Sequence, residues 1–153
     1  MRQLTEHKII GRAERVNLPE WGFTDLEAKI DTGAYTSSLH CHRLEEFIKD
    51  NERWIQFSIL DPEHRSFEKH PLQSKILDKR EVKSSNGHIE NRFFVQTSIT
   101  LFGKECSIEF SLTDRSSMKY PLLIGRKFIK KAGLLVDVSQ KNLSSKFLIE
   151  KNN

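Results

Sequence analysis

The segment Lys29-Ile30-Asp31-Thr32-Gly33-Ala34 combines residue types and spacing that suit chemistry. Residues 25–30 (DLEAKI) alternate apolar and polar side chains, the period of a half-buried strand. That strand delivers Asp31 onto a turn that Gly33 allows to bend sharply. Small and hydroxylated residues follow. A carboxylate placed in this way is held out to a substrate while its neighbours donate hydrogen bonds. The same Asp-x-Gly pattern also serves as a plain turn cap. A second segment, Pro121-Leu122-Leu123-Ile124-Gly125-Arg126, reads on its own as a buried strand ending at a glycine. His40-Cys41-His42 is a candidate for metal, with His40 and His42 on one face of a strand and Cys41 on the other. No third ligand follows at a recognisable spacing and there is no H-E-x-x-H. No metal or other cofactor is therefore expected, and His7, His64, His70 and His88 read as solvated.

The elements that must position Asp31 are mostly strands. Residues 8–16 form a first strand interrupted at Gly11, and 18–23 a turn around Pro19. Residues 37–42 read as a short strand. In 53–60 (RWIQFSIL) the apolar Ile55, Phe57 and Ile59 share the face expected to be buried. Residues 61–74 are polar, carry two prolines and read as a loop. Residues 76–83 and 89–100 flank Ser84-Ser85-Asn86-Gly87, and an Asn-Gly step between strand-like runs is a strong hairpin signal. A second hairpin is predicted about Gly103, with Ile108, Phe110 and Leu112 facing one way. Residues 126–132 (RKFIKKA) are predicted to be helical and closed by Gly133. Residues 134–138 and 146–150 read as final strands. Many short strands with one short helix predict a small all-β barrel.

The composition is compatible with that fold. A chain of 153 residues fits one domain, 1–153, long enough to bury a core without staples. Hydrophobic residues make up 37% and charged residues 30%, which excludes a disordered composition. No apolar run approaches the roughly 20 residues of a membrane span. The start, MRQLTEHKII, lacks the apolar core of a signal peptide, so the expected compartment is the cytoplasm. Cys41 and Cys106 are then expected to stay reduced. Residues 1–76 hold 11 Lys/Arg against 13 Asp/Glu, whereas 77–153 hold 14 against 8. Such a field either is ordinary solvated surface or draws an acidic partner. Aromatic residues are too sparsely interleaved with the basic ones for nucleic acid to be expected.

Taken together, Asp31-Thr32-Gly33-Ala34 late in the second strand and the apolar-apolar-Gly segment with its helix near the C-terminus resemble aspartic peptidases of the retropepsin type. The chain is similar to a family of small retropepsin-like proteins labelled ATP-dependent zinc proteases, members of which are found beside ATP-grasp peptide ligases. Four stretches carry the resemblance: 29–40 (KIDTGAYTSSLH), 80–92 (REVKSSNGHIENR), 112–118 (LTDRSSM) and 120–126 (YPLLIGR). It spans residues from about Gly11 to Leu148. Asp114 stands where the family usually has Asn, and the match is loose between 49 and 76.

The resemblance implies a small closed retropepsin-like barrel with one short C-terminal helix, and an aspartic-type endopeptidase. Two carboxylates must then sit close enough to share one proton, one activating water while the other protonates the substrate. The chain has one Asp-Thr-Gly, so the resemblance implies a homodimer that brings two copies of Asp31 together about a two-fold axis. Asp31, Thr32 and Gly33 are the implied catalytic residues, Thr32 bonding across the interface. Gly125 would support the Asp31 loop. Ala34, Asn86, Gly87, Arg92, Arg115 and Arg126 are the implied substrate-binding residues, with Asn86-Gly87 resembling a flap. The arginines, and the ligases beside which the family is found, suggest an acidic, glutamate-rich peptide or protein substrate. The alternative is a non-catalytic module of the same fold that binds an acidic peptide or protein partner.

Overall fold

A computed structural model describes residues 8–59, 71–83, 86–114 and 119–146. The strands in chain order are β1 (Lys8–Ile10), β2 (Ala13–Leu18), β3 (Phe23–Asp31), β4 (Ser37–Lys49), β5 (Glu52–Ile59), β6 (Leu72–Lys75), β7 (Asp78–Lys83), β8 (Ile89–Leu101), β9 (Lys104–Thr113), β10 (Leu122–Gly125) and β11 (Leu134–Val136). Helix α1 spans Arg126–Lys131. A single 3₁₀ turn at Pro19–Trp21 joins β2 to β3.

Six strands hydrogen-bond in a ring that closes on itself, in the order β10, β3, β2, β8, β9, β4 and back to β10. This is the closed all-β arrangement that the pattern of short strands predicts, and closure removes the exposed edges of an open sheet. Short β10 lies between β3 and β4. It runs parallel to β3, with Gly125 opposite Asp31, and antiparallel to β4, with Leu122 opposite Leu39. A strand paired on both sides and buried needs a continuous apolar run, which Leu122-Leu123-Ile124 supplies.

Alternation fills the interior. Ile55, Phe57 and Ile59 of β5 and Ile108, Phe110 and Leu112 of β9 are buried, as their period of two dictates. They share one cluster with Val16, Leu18, Leu26, Leu39, Leu122 and Ile124. Trp21 meets Phe57 edge-on, with ring centroids 5.6 Å apart. Helix α1 packs Phe128 and Ile129 into the same core. It ends where Gly133 takes the left-handed conformation, φ +66°, and donates its N–H to Lys130 O.

Both predicted hairpins form. β8 and β9 turn through Phe102-Gly103, both at positive φ, while β7 and β8 pair from Lys83–Ile89 back to Asp78–Phe94. Asn86, Gly87 and His88 lie between the two strands, and Ser84 and Ser85 are outside the described residues.

Several boundaries differ from the sequence-based expectation, three of them in the kind or extent of an element. The strand predicted at 37–42 continues to Lys49, because Asp50 and Asn51, both at positive φ, turn it directly into β5. Residues 72–74 belong to β6 rather than to a loop, since they bond the outer edge of β5 in the register Phe57–Leu72 to Trp54–Lys75. Residue 146, predicted to begin a last strand, instead lies in a helical stretch that includes 143–146, and 147–150 lie outside the described residues. That stretch starts where the N–H groups of Leu143 and Ser144 meet the carboxylate of Glu14.

Candidate functional site

Asp31 is the last residue of β3 and half-buried, while Thr32 and Gly33 after it are exposed. The turn closes through a bond from Ala34 N–H to Asp31 O at 3.2 Å. Gly33 N–H donates to Asp31 Oδ1 at 3.0 Å. This is the Asx geometry that an Asp-x-Gly turn favours, and it fixes the direction of the carboxylate. The remaining acceptor positions of the carboxylate are left for solvent or substrate.

The loop rests on the junction of β10 and α1. At Gly125 a Cβ would lie 2.5 Å from Thr36 O and 2.8 Å from Tyr35 O, so no side chain fits there. Its N–H donates to Ser37 Oγ at 3.0 Å, and Ser37 is buried. The next two amides, of Arg126 and Lys127, donate to Ala34 O at 2.8 Å and Tyr35 O at 3.0 Å. The Arg126 side chain turns back over the loop, with Nη1 on Gly33 O at 3.1 Å and on Thr32 O at 3.4 Å. Its guanidinium lies 5.5 Å from the centre of the exposed Tyr35 ring.

The other residues implied by the resemblance are spread more widely. Arg92 stands on β8 with its side chain only 12% exposed, and both Nε and Nη2 lie 3.0 Å from Glu90 Oε2. Asn86 and Gly87 are exposed in the loop of the β7–β8 hairpin, where Asn86 Oδ1 accepts from His88 N–H and Gly87 takes φ +84°. Arg115 lies outside the described residues. Asp31, Thr32, Gly33, Ala34 and Arg126 are thus brought together at one loop, whereas Arg92 is placed on the β7–β8 arm beside its own carboxylate.

His40 and His42 do meet, with their rings edge-on and centroids 4.7 Å apart. His42 Nδ1 lies 4.0 Å from Asp114 Oδ1. Cys41 is buried and bonds Leu39 O. Burial pushes its thiol up to about 12, so it stays protonated and is a poor metal ligand. Among the described residues no three His, Cys, Asp or Glu side chains converge to hold a metal. The zinc in the label of the resembling family therefore finds no donor set there.

Reading residues one at a time missed two features of the site. Ser37 carries no motif of its own, although a serine after a turn and before a strand is a ready acceptor for a nearby backbone amide. For Arg126 the side chain is spent on loop carbonyls, a use that no local pattern reveals.

Residues 9–146 match the RimB-like family, described as retropepsin-like aspartic endopeptidase RimB. A protein of Shewanella halifaxensis named probable alpha-L-glutamate ligase is 37% identical over 142 residues, covering 86% of this chain and 29% of that protein. A protein of the same name from Desulfotalea psychrophila is 36% identical over 137 residues, covering 83% and 27%. The chain thus spans less than a third of the length of these relatives. The crystal structure of a Legionella pneumophila protein of unknown function superposes with a TM-score of 0.74 at 27% identity, covering 91% of this chain and 99% of that one.

Proposed function

This chain belongs to the RimB-like family of retropepsin-like aspartic endopeptidases, and from that premise we propose that it hydrolyses peptide bonds with a dyad of Asp31 carboxylates from two copies. The observation that carries the proposal is the Asp-Thr-Gly turn itself. It offers one half-exposed carboxylate, steered by a single amide, on a loop whose next two residues are exposed. One carboxylate of this kind supplies half of an aspartic mechanism. A two-fold axis beside Thr32 would supply the other half, because it sets identical groups face to face.

In the dyad one carboxylate is ionised and the other protonated, since two like charges in contact share a proton. The ionised Asp31 takes a proton from water, and the water oxygen attacks the peptide carbonyl carbon. The protonated Asp31 of the other copy gives its proton to the carbonyl oxygen. The tetrahedral intermediate collapses as the first Asp31 passes the proton it took from water to the amide nitrogen, which leaves as an amine. The second Asp31 takes a hydroxyl proton of the intermediate, so that a carboxylic acid forms and the dyad again holds one proton. An acidic peptide is the favoured substrate class, supported by the excess of basic residues beyond residue 77 and by relatives named as glutamate ligases. Those same names favour a second reading, a non-catalytic module that binds an acidic partner.

Asp31→Asn decides between them. We expect hydrolysis to fall by about 10²–10⁴-fold, the usual worth of positioned acid–base catalysis, with folding and dimerisation unchanged. Sedimentation at tens of micromolar should give a dimer. Peptidase activity in a strict monomer, or most activity kept in the Asn variant, would overturn the dyad. Tight binding of acidic peptides without turnover would support the second reading.

A further inference from the structure

We propose that Arg126 is a positioning residue for Asp31, acting through the peptide groups that join Thr32, Gly33 and Ala34. The inference rests on the reading of Asp31 as the catalytic carboxylate. It starts from four successive carbonyl oxygens, those of Thr32, Gly33, Ala34 and Tyr35. All four are taken by residues 126 and 127: the first two by the Arg126 guanidinium, the third by Arg126 N–H and the fourth by Lys127 N–H. A run of carbonyls bound on one side of a loop turns its amides towards the other. There, Gly33 N–H meets Asp31 Oδ1 at 3.0 Å.

The unit between Thr32 and Gly33 makes both kinds of contact. Its N–H donates to the carboxylate of Asp31, and its carbonyl oxygen lies 3.4 Å from Arg126 Nη1. The shorter bond, 3.1 Å to Gly33 O, holds the next unit along. A peptide group with a cation at its oxygen and an anion at its N–H has its dipole aligned with both charges. Hydrogen bonds in such a chain polarise one another. If the peptide flipped, a carbonyl oxygen would face the carboxylate and the N–H would face the guanidinium, and both contacts would repel. Arg126 thus opposes a peptide flip that would release Asp31 from its direction.

Arginine suits this task better than lysine. Both carbonyls are reached by Nη1, which carries two N–H groups, and the always-charged guanidinium at the same time lies 5.5 Å from the centre of the Tyr35 ring. Arg126 also sits directly after Gly125, the position at which the β10 backbone touches the loop. Its reach to the loop is therefore short and fixed.

The test uses the full chain with Arg126→Gln and Arg126→Lys. A displaced catalytic group costs up to about 10²-fold in rate, so in the Gln variant we expect kcat to fall by about 10–100-fold. KM should stay within about twofold, because the lost interaction acts on the reacting geometry rather than on uniform substrate binding. The Lys variant should recover part of kcat, and a small guanidinium compound added to Arg126→Ala should do likewise. Without substrate, hydrogen exchange at the Gly33 amide should be about tenfold faster in the Gln variant, as local opening becomes easier. Unchanged kcat and unchanged Gly33 exchange in a folded Gln variant would overturn the proposal. So would a fall in kcat matched by a general loss of melting temperature and not relieved by Lys. Exchange at Gly33 does not depend on turnover. If Asp31 proves non-catalytic, it still reads the contact between Arg126 and the loop, so the two failures are distinguishable.

Discussion

Glu14 and Asp31 are both carboxylates bound by backbone amides, but Glu14 is fully buried and accepts three N–H groups, whereas Asp31 is half-exposed and accepts one. Glu14 Oε2 takes Gly11 N–H at 2.8 Å and Leu143 N–H at 3.1 Å, and Oε1 takes Ser144 N–H at 2.9 Å. A buried charge is tolerated when its lone pairs are filled by charge-assisted bonds. The filled group is a staple: it ties the bend between β1 and β2 to the segment that ends the described chain. The open group keeps acceptor capacity for water and protons, as chemistry requires. The difference lies in how many donors the backbone brings and whether solvent can reach the remainder.

Glu14→Ala should break the comparison from the structural side and give the largest change in stability. It strands three amides that Glu14 now accepts from, and at about 1–3 kcal/mol for each orphaned buried donor the total is about 3–5 kcal/mol. For a chain of this size that corresponds to a fall in melting temperature of roughly 6–20 °C. Asp31→Asn should show the reverse, a loss of turnover with stability changed by about 0.5 kcal/mol or less, as for other solvent-facing substitutions. Paired thermal melts and rate measurements on the two variants check both statements. A Glu14→Ala protein as stable as the parent would show that the three bonds are dispensable.

Gly125→Ala should affect both properties, because the site and the fold meet there. The added Cβ would press on the carbonyls of Tyr35 and Thr36, and overpacking of this kind costs about 1–3 kcal/mol. The residues pushed away follow the Asp31 turn directly, so the rate at a permissive temperature should fall as well. A stable variant with full activity would mean that the loop does not depend on the close approach of β10.

The Asp31 turn was legible because its information is local: an alternating strand, an aspartate and a glycine within a few residues. The same holds for Ile55, Phe57 and Ile59, whose alternation named their buried face. Two of the three partners of Glu14 were not legible, since they lie 129 and 130 residues further along the chain. Alternation did place Glu14 in phase with the buried Val16 and Leu18. A charge in that phase is a signal that a buried acceptor awaits donors. Arg126 was legible as a cation near the site but not in its use, because its carbonyl acceptors stand 93 and 94 residues earlier. The helical start at 143 was hidden for the same reason, as its first donors are satisfied by a side chain from β2.

The smallest expected effect concerns Arg92, one of the arginines that the resemblance assigns to an acidic substrate. Its side chain is largely buried, and two of its nitrogens already lie against Glu90. In the terms of the comparison it is a filled group, like Glu14, with its charge answered before any ligand arrives. A peptide carboxylate would meet a guanidinium whose charge Glu90 already offsets, through two of its three nitrogens. Arg92→Gln should therefore change the ratio of rates on acidic and basic peptides by less than about twofold, within the range of weak exposed ion pairs. If acidic peptides are preferred, the preference should instead come from exposed lysines and weaken as salt rises, since such charges are screened over about 8–10 Å near physiological ionic strength. Side-by-side digestion of acidic and basic peptides by both proteins at two salt concentrations tests this. A tenfold loss of preference in Arg92→Gln would mean that substrate reaches the guanidinium despite Glu90, and Arg92 would then belong with Asp31 among the open groups.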